Sequence, residues 1–275
     1  MKAATTPKVH AAFLKELKRM LPAGCEPIVI TDAGFRSPWF RAVEAIGWHW
    51  VGRIRNRDRV RPQGQAHRNE RAGLWQGAKT LYVLATSKAL DLGLFDYVRN
   101  HPMSARLVTI KHAPKGRHMT TVKGERTRSS HSRKKSKAES EPWLLAASPS
   151  LAHLSAEAII AIYAQRMQIE QAFRDTKNAR FGLGLSYSGS RSTPRWAALA
   201  LVASVAELVI RLTGQCAINA KMQYELQLTN RRKRAEISVI QVGMLLLRDA
   251  FRGFNAAAFR QTIKQWATPH PAFSI

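Results

Sequence analysis

The stretch SAEAIIAIYAQRMQIEQAFRDTKNAR, residues 155–180, has the periodicity of one long helix with two distinct faces. At about 100° per residue, steps of three, four and seven residues bring four polar side chains within roughly 60° of one another. They are Tyr163, Arg166, Glu170 and Lys177. A neighbouring apolar stripe, which predicts that the helix rests on a core, consists of Ile162, Ile169 and Phe173. The polar face indicates a binding or catalytic surface, unless Arg166 and Glu170 simply form an i,i+4 ion pair.

The overall charge is typical of a protein that binds nucleic acid. Among 275 residues, 44 Lys and Arg oppose 18 Asp and Glu, which gives a formal charge of +26 and a pI near 11.1. Such an excess neutralises phosphates and releases their counterions. Between His112 and Lys137 the chain is basic and rich in Gly and Ser. We interpret this run either as a solvated loop or as a flexible arm that follows a phosphate backbone.

The cysteines and the apolar segments indicate a protein of a reducing, aqueous compartment. Cys25 and Cys216 are far apart, and neither has a second Cys or a His at metal-ligand spacing. The apolar segment 196–212 is shorter than a membrane span and contains Glu207, so we expect a buried core helix that ends at Gly214. We therefore expect a cytoplasmic protein with no membrane association.

The rest of the chain alternates between helical and strand-like patterns, as in an α/β protein. Helices are predicted over 11–21, 37–47, 196–212, 237–251 and 259–266, and strands over 28–30, 48–55, 81–86, 107–111 and 143–147. Asp32 ends the first strand, where α/β sheets commonly place chemistry, although an Asp there can also open a turn or cap a helix. Ser155 is the expected N-cap of the long helix.

Taken together, these features resemble the DDE transposases of bacterial insertion sequences. The closest resemblance is to the insertion-sequence-four family, which includes the transposase of the bacterial tetracycline-resistance transposon. The spacing Tyr-x2-Arg-x3-Glu-x6-Lys of residues 163–177 matches the signature of that family. The segments TDAGFRSPWF, EPWLLA, MQIEQAFRD and FGLGL are similar as well. The resemblance extends from about residue 11 to residue 251.

The resemblance implies an α/β fold with an RNase H-like core that is incomplete at the N-terminus and is interrupted by a β-rich insertion. The expected segments are 1–52, the first part of the core; 53–142, the insertion with its basic loop; 143–215, the second part with the catalytic helix; and 216–275, a helical C-terminal region.

The resemblance also implies the chemistry. Asp32 and Glu170 are the expected catalytic residues, and they would hold two Mg²⁺ or Mn²⁺ ions. These ions activate a water or a 3′-hydroxyl for cleavage and transfer of DNA strands. The implied partners are the double-stranded DNA of transposon ends and target, and a second copy of the chain, in the bacterial cytoplasm and nucleoid.

Further residues are expected to contact DNA. Those on the long helix are Tyr163, Arg166, Arg174 and Lys177. Trp143 matches the tryptophan on which this family stacks a flipped base while a DNA hairpin forms. The alternative for Trp143 is a strand residue that packs into the core.

The first aspartate of the family, which belongs on an upstream strand, has no counterpart. Before Asp32 only Glu16 and Glu26 are acidic, and neither ends an apolar strand. We therefore expect an N-terminally truncated transposase that is inactive, or nearly so, on its own but still binds DNA. The alternative is a noncatalytic DNA-binding remnant or an inhibitor of a full-length transposase.

Overall fold

The structure is a computed structural model in which the chain forms two compact units, Met1–Arg166 and Met167–Ile275. It describes residues 6–56, 58–64, 74–113, 125, 130, 141–177, 183–184, 187–226, 237–248 and 255–267. The side chain of Arg174 lies outside this set.

The first unit is built on a mixed sheet. Its strands in the described ranges are β1 Ile28–Thr31, β2 His49–Arg53, β3 Arg59–Pro62, β4 Gln76–Gly77, β5 Leu90–Tyr97, β6 Met103–Ile110 and β7 Trp143–Ala147. They form one seven-stranded sheet in the order β1-β2-β7-β6-β5-β3-β4. β1 and β2 are parallel, and the other neighbouring pairs are antiparallel. The sheet therefore joins strands of the predicted core to strands of the predicted insertion.

Helices cover this sheet. They are α1 Pro7–Met20, α2 Ser37–Ala45 and α3 Ala156–Ala164, with 3-10 turns at Ala78–Leu84 and Pro149–Leu151. The Thr6 side chain caps α1 by accepting from the Val9 N–H. Ser155 caps α3 by accepting from the Ala158 N–H at 3.2 Å, so the predicted N-cap is confirmed.

The core of the first unit is rich in aromatic side chains. The ring of Phe40 on α2 is stacked on that of Trp50 on β2, with centroids 4.0 Å apart and planes 15° from parallel. Gly52 lies beneath Phe40, and a Cβ there would meet the Phe40 Cζ at 2.5 Å. A glycine at position 52 therefore lets α2 approach the sheet closely.

Most of the predicted strands are confirmed, and one is wrong. Residues 28–30, 48–55, 107–111 and 143–147 correspond to β1, β2, β6 and β7. Residues 81–86 instead lie largely in the 3-10 turn, because that winding buries Leu81 and leaves Val83 85% exposed. β5 was not predicted, since its alternation is broken by a register shift between Asp91 and Gly93.

A buried arginine ties β6 to the turn before α3. The Arg106 guanidinium donates to the carbonyl oxygens of Leu151 and Leu154, at 2.9 and 2.6 Å. It also donates through Nε and Nη2 to Asp91 Oδ2, at 3.1 and 2.7 Å. The start of α3 is thus fixed to the sheet.

The second unit is helical in its described residues. Its helices are α4 Arg166–Lys177, which begins at the last residue of the first unit, α5 Thr193–Asn219, α6 Gln223–Leu226, α7 Val239–Arg248 and α8 Ala256–Ala267. The prediction of one helix over 155–180 is therefore wrong. α3 ends where the Gln165 N–H bonds to the Ile162 carbonyl three residues back, which tightens the last turn.

Two glycines bring α5 and α7 into backbone contact. A Cβ on Gly214 would lie 2.0 Å from the Val239 carbonyl oxygen, and one on Gly243 would lie 2.0 Å from that of Ile210. The expectation that Gly214 ends the apolar helix is wrong, since α5 continues to Asn219. Here glycine allows close helix packing instead of ending a helix.

The expected burial of the apolar residues is confirmed only in part, since Ile162 on α3 and Ile210 on α5 are 3% and 8% exposed. On α4, Ile169 and Phe173 are 50% and 60% exposed, and on α5 Leu201 is 67% exposed. α5 is held mainly near its C-terminal half, where Ala217 packs with Val242 and Leu246. In the described ranges α5 alone has the length and hydropathy of a membrane span, a criterion that core helices of soluble proteins also meet.

Candidate functional site

Asp32 follows β1 directly, as predicted, and is exposed. Its Oδ1 accepts a hydrogen bond from the Gly34 N–H at 2.8 Å, which is the turn-opening role given as the alternative, and its catalytic role stays a prediction. A Cβ on Gly34 would lie 2.9 Å from that oxygen, and glycine therefore leaves room for the carboxylate. The turn holds the Asp32 carboxylate at the carboxyl ends of the two parallel strands.

Arg53 lies at the same end of the sheet, because Thr31 is opposite Gly52 in the register of β1 and β2. Burial lowers the pKa of Arg53, and Arg55 adds to this effect, while Tyr163 and Tyr82 oppose it. Its Nη2 donates to the Pro142 carbonyl at 3.3 Å, and in the described residues its Nε has no hydrogen-bond partner. A partly buried guanidinium with an unused donor is suited to an anionic ligand.

Tyr82, Arg55 and Glu141 surround Arg53. Burial raises the pKa of the Tyr82 phenol, and Glu141 raises it further. The Tyr82 hydroxyl is buried and, within the described ranges, has no hydrogen-bond partner. Arg55 Nε lies 3.8 Å from Glu141 Oε2, which is an ion-pair distance.

Tyr163, on α3, lies at the same end of the sheet as Asp32 and Arg53. It is 3% exposed, and burial raises its pKa although Arg166 and Arg53 lower it; the Asp32 carboxylate raises it again. The Arg166 guanidinium lies 6.0 Å from the Tyr163 ring centroid. The phenol is neutral at pH 7, as an ordinary tyrosine is, and can donate a hydrogen bond.

Trp143, the first residue of β7, is half-buried and contacts two rings. Its centroid lies 5.0 Å from that of Tyr163 and 4.5 Å from that of His112, and both contacts are T-shaped with interplanar angles of 76°. The structure thus brings Asp32, Arg53, Trp143 and Tyr163 to one end of the sheet.

The other predicted residues lie on α4. Glu170 and Lys177 are exposed, and Lys177 Nζ is 5.7 Å from the Phe173 ring. Arg174 is in this helix, and its side chain falls outside the described residues. Asp32 belongs to the first unit and Glu170 to the second, so their pairing stays a prediction.

Carboxylate oxygens are preferred ligands of Mg²⁺. The described residues, however, contain no group of three or more side chains that could hold a metal ion. Glu16 pairs with Arg19 at 3.0 Å, and Glu26 lies 3.7 Å from His49. Neither supplies a second carboxylate beside Asp32. The residues placed together here do not by themselves fit a two-metal site.

Sequence reasoning missed Arg53, Tyr82 and His112. For Arg53 a signal was present, since it ends the strand parallel to the one that Asp32 ends. Tyr82 was hidden in a segment predicted as a strand. His112 becomes visible only when the β6–β7 register is known.

Residues 2–205, well over half of the chain, match the model of a family described as Transposase DDE domain. A search of curated proteins finds no match.

Proposed function

Because the chain belongs to the family of transposase DDE domains, we propose that it binds double-stranded DNA as a transposase of the hairpin-forming, cut-and-paste type. Members of this family act on DNA and generally use divalent metal ions. The insertion-sequence-four assignment rests on the signature of residues 163–177.

The observation that carries the proposal is the setting of Arg53. Its guanidinium is partly buried beside two tyrosines with raised pKa values, and its Nε is unused in the described part of the chain. We assign it, with Arg166, to one DNA phosphate next to the Asp32 carboxylate. Charge-assisted bonds from such donors position a backbone without reading its sequence.

Trp143 supplies the second contact. A half-buried indole at the end of a strand could provide a surface on which an unstacked base lies. We propose that this contact stabilises the bent strand while a hairpin forms. Arg174 and Lys177 would hold phosphates further along the DNA.

Strand transfer by a two-metal route requires more carboxylates than the described residues group together. Asp32 and Glu170 are the proposed ligands, and the described residues contain no group of three or more side chains that could hold a metal ion. We infer that the chain alone binds DNA and transfers phosphoryl groups very slowly or not at all. A noncatalytic remnant or inhibitor, able to form mixed dimers in the nucleoid, is the second candidate, and the same shortage of carboxylates favours it.

The test compares cleavage with binding. The full chain is incubated with supercoiled and hairpin-forming DNA in Mg²⁺ or Mn²⁺, beside a Glu170→Ala variant. We expect binding without metal-dependent nicking in either protein. Nicking that depends on Mg²⁺ and disappears in Glu170→Ala would show that the chain is an active enzyme, and it would contradict the proposal that the chain alone is inactive.

The second candidate needs its own measurement. The chain is mixed with an active transposase of the same family, and excision is followed as the ratio rises. Inhibition that persists when DNA is in excess supports a mixed dimer, whereas inhibition that excess DNA relieves indicates competition for DNA.

A further inference from the structure

His112 lies two residues beyond the end of β6 and contacts Trp143. Ile110, the last residue of β6, is opposite Trp143 on β7. The centroids of the imidazole and indole rings are 4.5 Å apart. The pairing of β6 with β7 therefore brings the two side chains together.

The two rings meet where the strand pair ends. Trp143 is the first residue of β7 and Ile110 the last of β6, and His112 is exposed just beyond them. The imidazole contacts the indole edge-to-face at 4.5 Å. The ring of Tyr163 on α3 also makes a T-shaped contact with the indole, with the two ring centroids 5.0 Å apart. The indole is thus accompanied by one exposed ring and one buried ring.

We propose that His112 is a second contact residue for the unstacked base, forming the side of the site whose floor is Trp143. A base stacked parallel to the indole would stand at the same 76° to the imidazole and meet it edge-to-face. The imidazole also carries a hydrogen-bond donor and an acceptor that can reach the edge of a base. This inference rests on the proposed function, because it requires that Trp143 take up a base.

The experiment uses the full chain and two short DNA duplexes that differ at one position. In one duplex 2-aminopurine is opposite an abasic site, so that it is unpaired and costs less to unstack, and in the other it is paired with thymine. Anisotropy gives the affinity for each duplex, and 2-aminopurine fluorescence reports stacking on an aromatic ring. The preference for the unpaired probe is the ratio of the two affinities.

We expect His112→Ala to lower this preference by about threefold to tenfold, as the loss of one aromatic edge contact implies. His112→Phe should keep most of it, because the ring remains. The affinity for the paired duplex should not change. His153→Ala, at another exposed histidine of the first unit, is the matched control and should behave as the unaltered protein.

Trp143→Ala separates the inference from the proposed function. If it abolishes the preference while His112→Ala leaves it unchanged, Trp143 stacks the base and the assignment of His112 is wrong. If His112→Ala raises the preference, the imidazole obstructs the indole, and the assignment is again wrong. If Trp143→Ala keeps the preference, or the unaltered protein has none, base stacking on Trp143 fails and both proposals fall.

Discussion

Arg53 shows how one side chain can be both buried and available. Burial and Arg55 lower its pKa, yet an arginine remains charged at any physiological pH. Its Nη2 donates to the Pro142 carbonyl, which is a neutral partner. A phosphate would provide the missing charge.

The variant Arg53→Met should weaken DNA binding by about tenfold or more, because a hydrogen bond to a charged group contributes about 1.5–3 kcal/mol. Arg53→Lys should recover part of the affinity, since it restores the charge but not the fork of donors. Anisotropy with a short duplex measures both. Arg19→Met, at an exposed arginine of α1 that pairs with Glu16, is the control. Equal losses at positions 19 and 53 would contradict a specific role for Arg53.

Gly52 provides a second prediction at the residue scale. In Gly52→Ala the new Cβ would meet Phe40 at 2.5 Å and Thr31 Oγ1 at 3.0 Å. Overpacking of this kind costs about 1–3 kcal/mol of the free energy of unfolding. Gly77→Ala, whose Cβ would find only the Asn56 carbonyl oxygen at 3.7 Å, is the matched control. Urea unfolding followed by tryptophan fluorescence compares them, and equal midpoints would refute the close approach of α2.

Individual residues were predictable where one local rule decides their position. Asp32 was expected from its strand, and Ser155 from the capping rule. His112 could not be expected, because its position depends on pairing between strands separated by more than thirty residues. Arg53 looked like an ordinary basic residue until the burial around it was known.

Among the elements, the pair of β5 and β6 depends on Asp91. Burial alone would raise the pKa of Asp91, but the Arg106 side chain and the Gly93 N–H outweigh it and lower the pKa. A lowered pKa in the folded state adds stability above the unfolded pKa of about 3.9, and this contribution is lost as the pH falls through the folded value.

Asp91→Asn should therefore unfold more easily than the unaltered protein at pH 7, and the difference should vanish near pH 3 or below. The effect should be about 1 kcal/mol, because Asp91 is 41% exposed and solvent screens the pair. Urea midpoints at several pH values measure it. Glu16→Gln, at an exposed carboxylate that pairs with Arg19, is the matched control. A constant difference at every pH would show that the Asp91 charge contributes nothing.

The crossing of α5 and α7 gives a prediction for the second unit. Gly214→Ala or Gly243→Ala would press a methyl group onto a carbonyl oxygen and force the helices apart, which costs about 1–3 kcal/mol or more. Circular dichroism at 222 nm during thermal unfolding detects the loss. Ser204→Ala, on the exposed side of α5, is the control. An unchanged melting curve for both glycine variants would show that this crossing does not stabilise the unit.

Helix periodicity located α3 and α4 but not the break between them. Gln165 has helical backbone angles, φ −61° and ψ −24°. Glutamine is also a good helix former, so its residue type does not predict the end of a helix. The exposure of Ile169 and Phe173 was equally hidden, because a periodic pattern shows which face is apolar and not whether anything covers it.

At the scale of the whole molecule, the charge of +26 should govern DNA affinity. The logarithm of the binding constant should fall linearly with the logarithm of the salt concentration, with a slope of about −0.9 per phosphate contacted. Arg53→Met should reduce that slope by about one. Titrations between low and physiological salt provide the slopes. A slope near zero would contradict phosphate binding.

The α/β character of the chain and four of its strands were predictable, because apolar runs and turn residues are local signals. The sheet order was not, since it depends on pairings between distant segments. The RNase H-like arrangement and the four-segment division stay predictions. Membership in the transposase DDE domain family agrees with the signature of residues 163–177.

The pairing of Ile110 with Trp143 has an evolutionary consequence. Opposite residues on antiparallel strands lie about 5 Å apart, so the segment 111–142 leaves and re-enters the sheet at adjacent points. Changing the length of such a segment alters its closure entropy only logarithmically, and the strand register is unaffected. Relatives should therefore be able to differ in the length of this segment without a change in the register of β6 and β7.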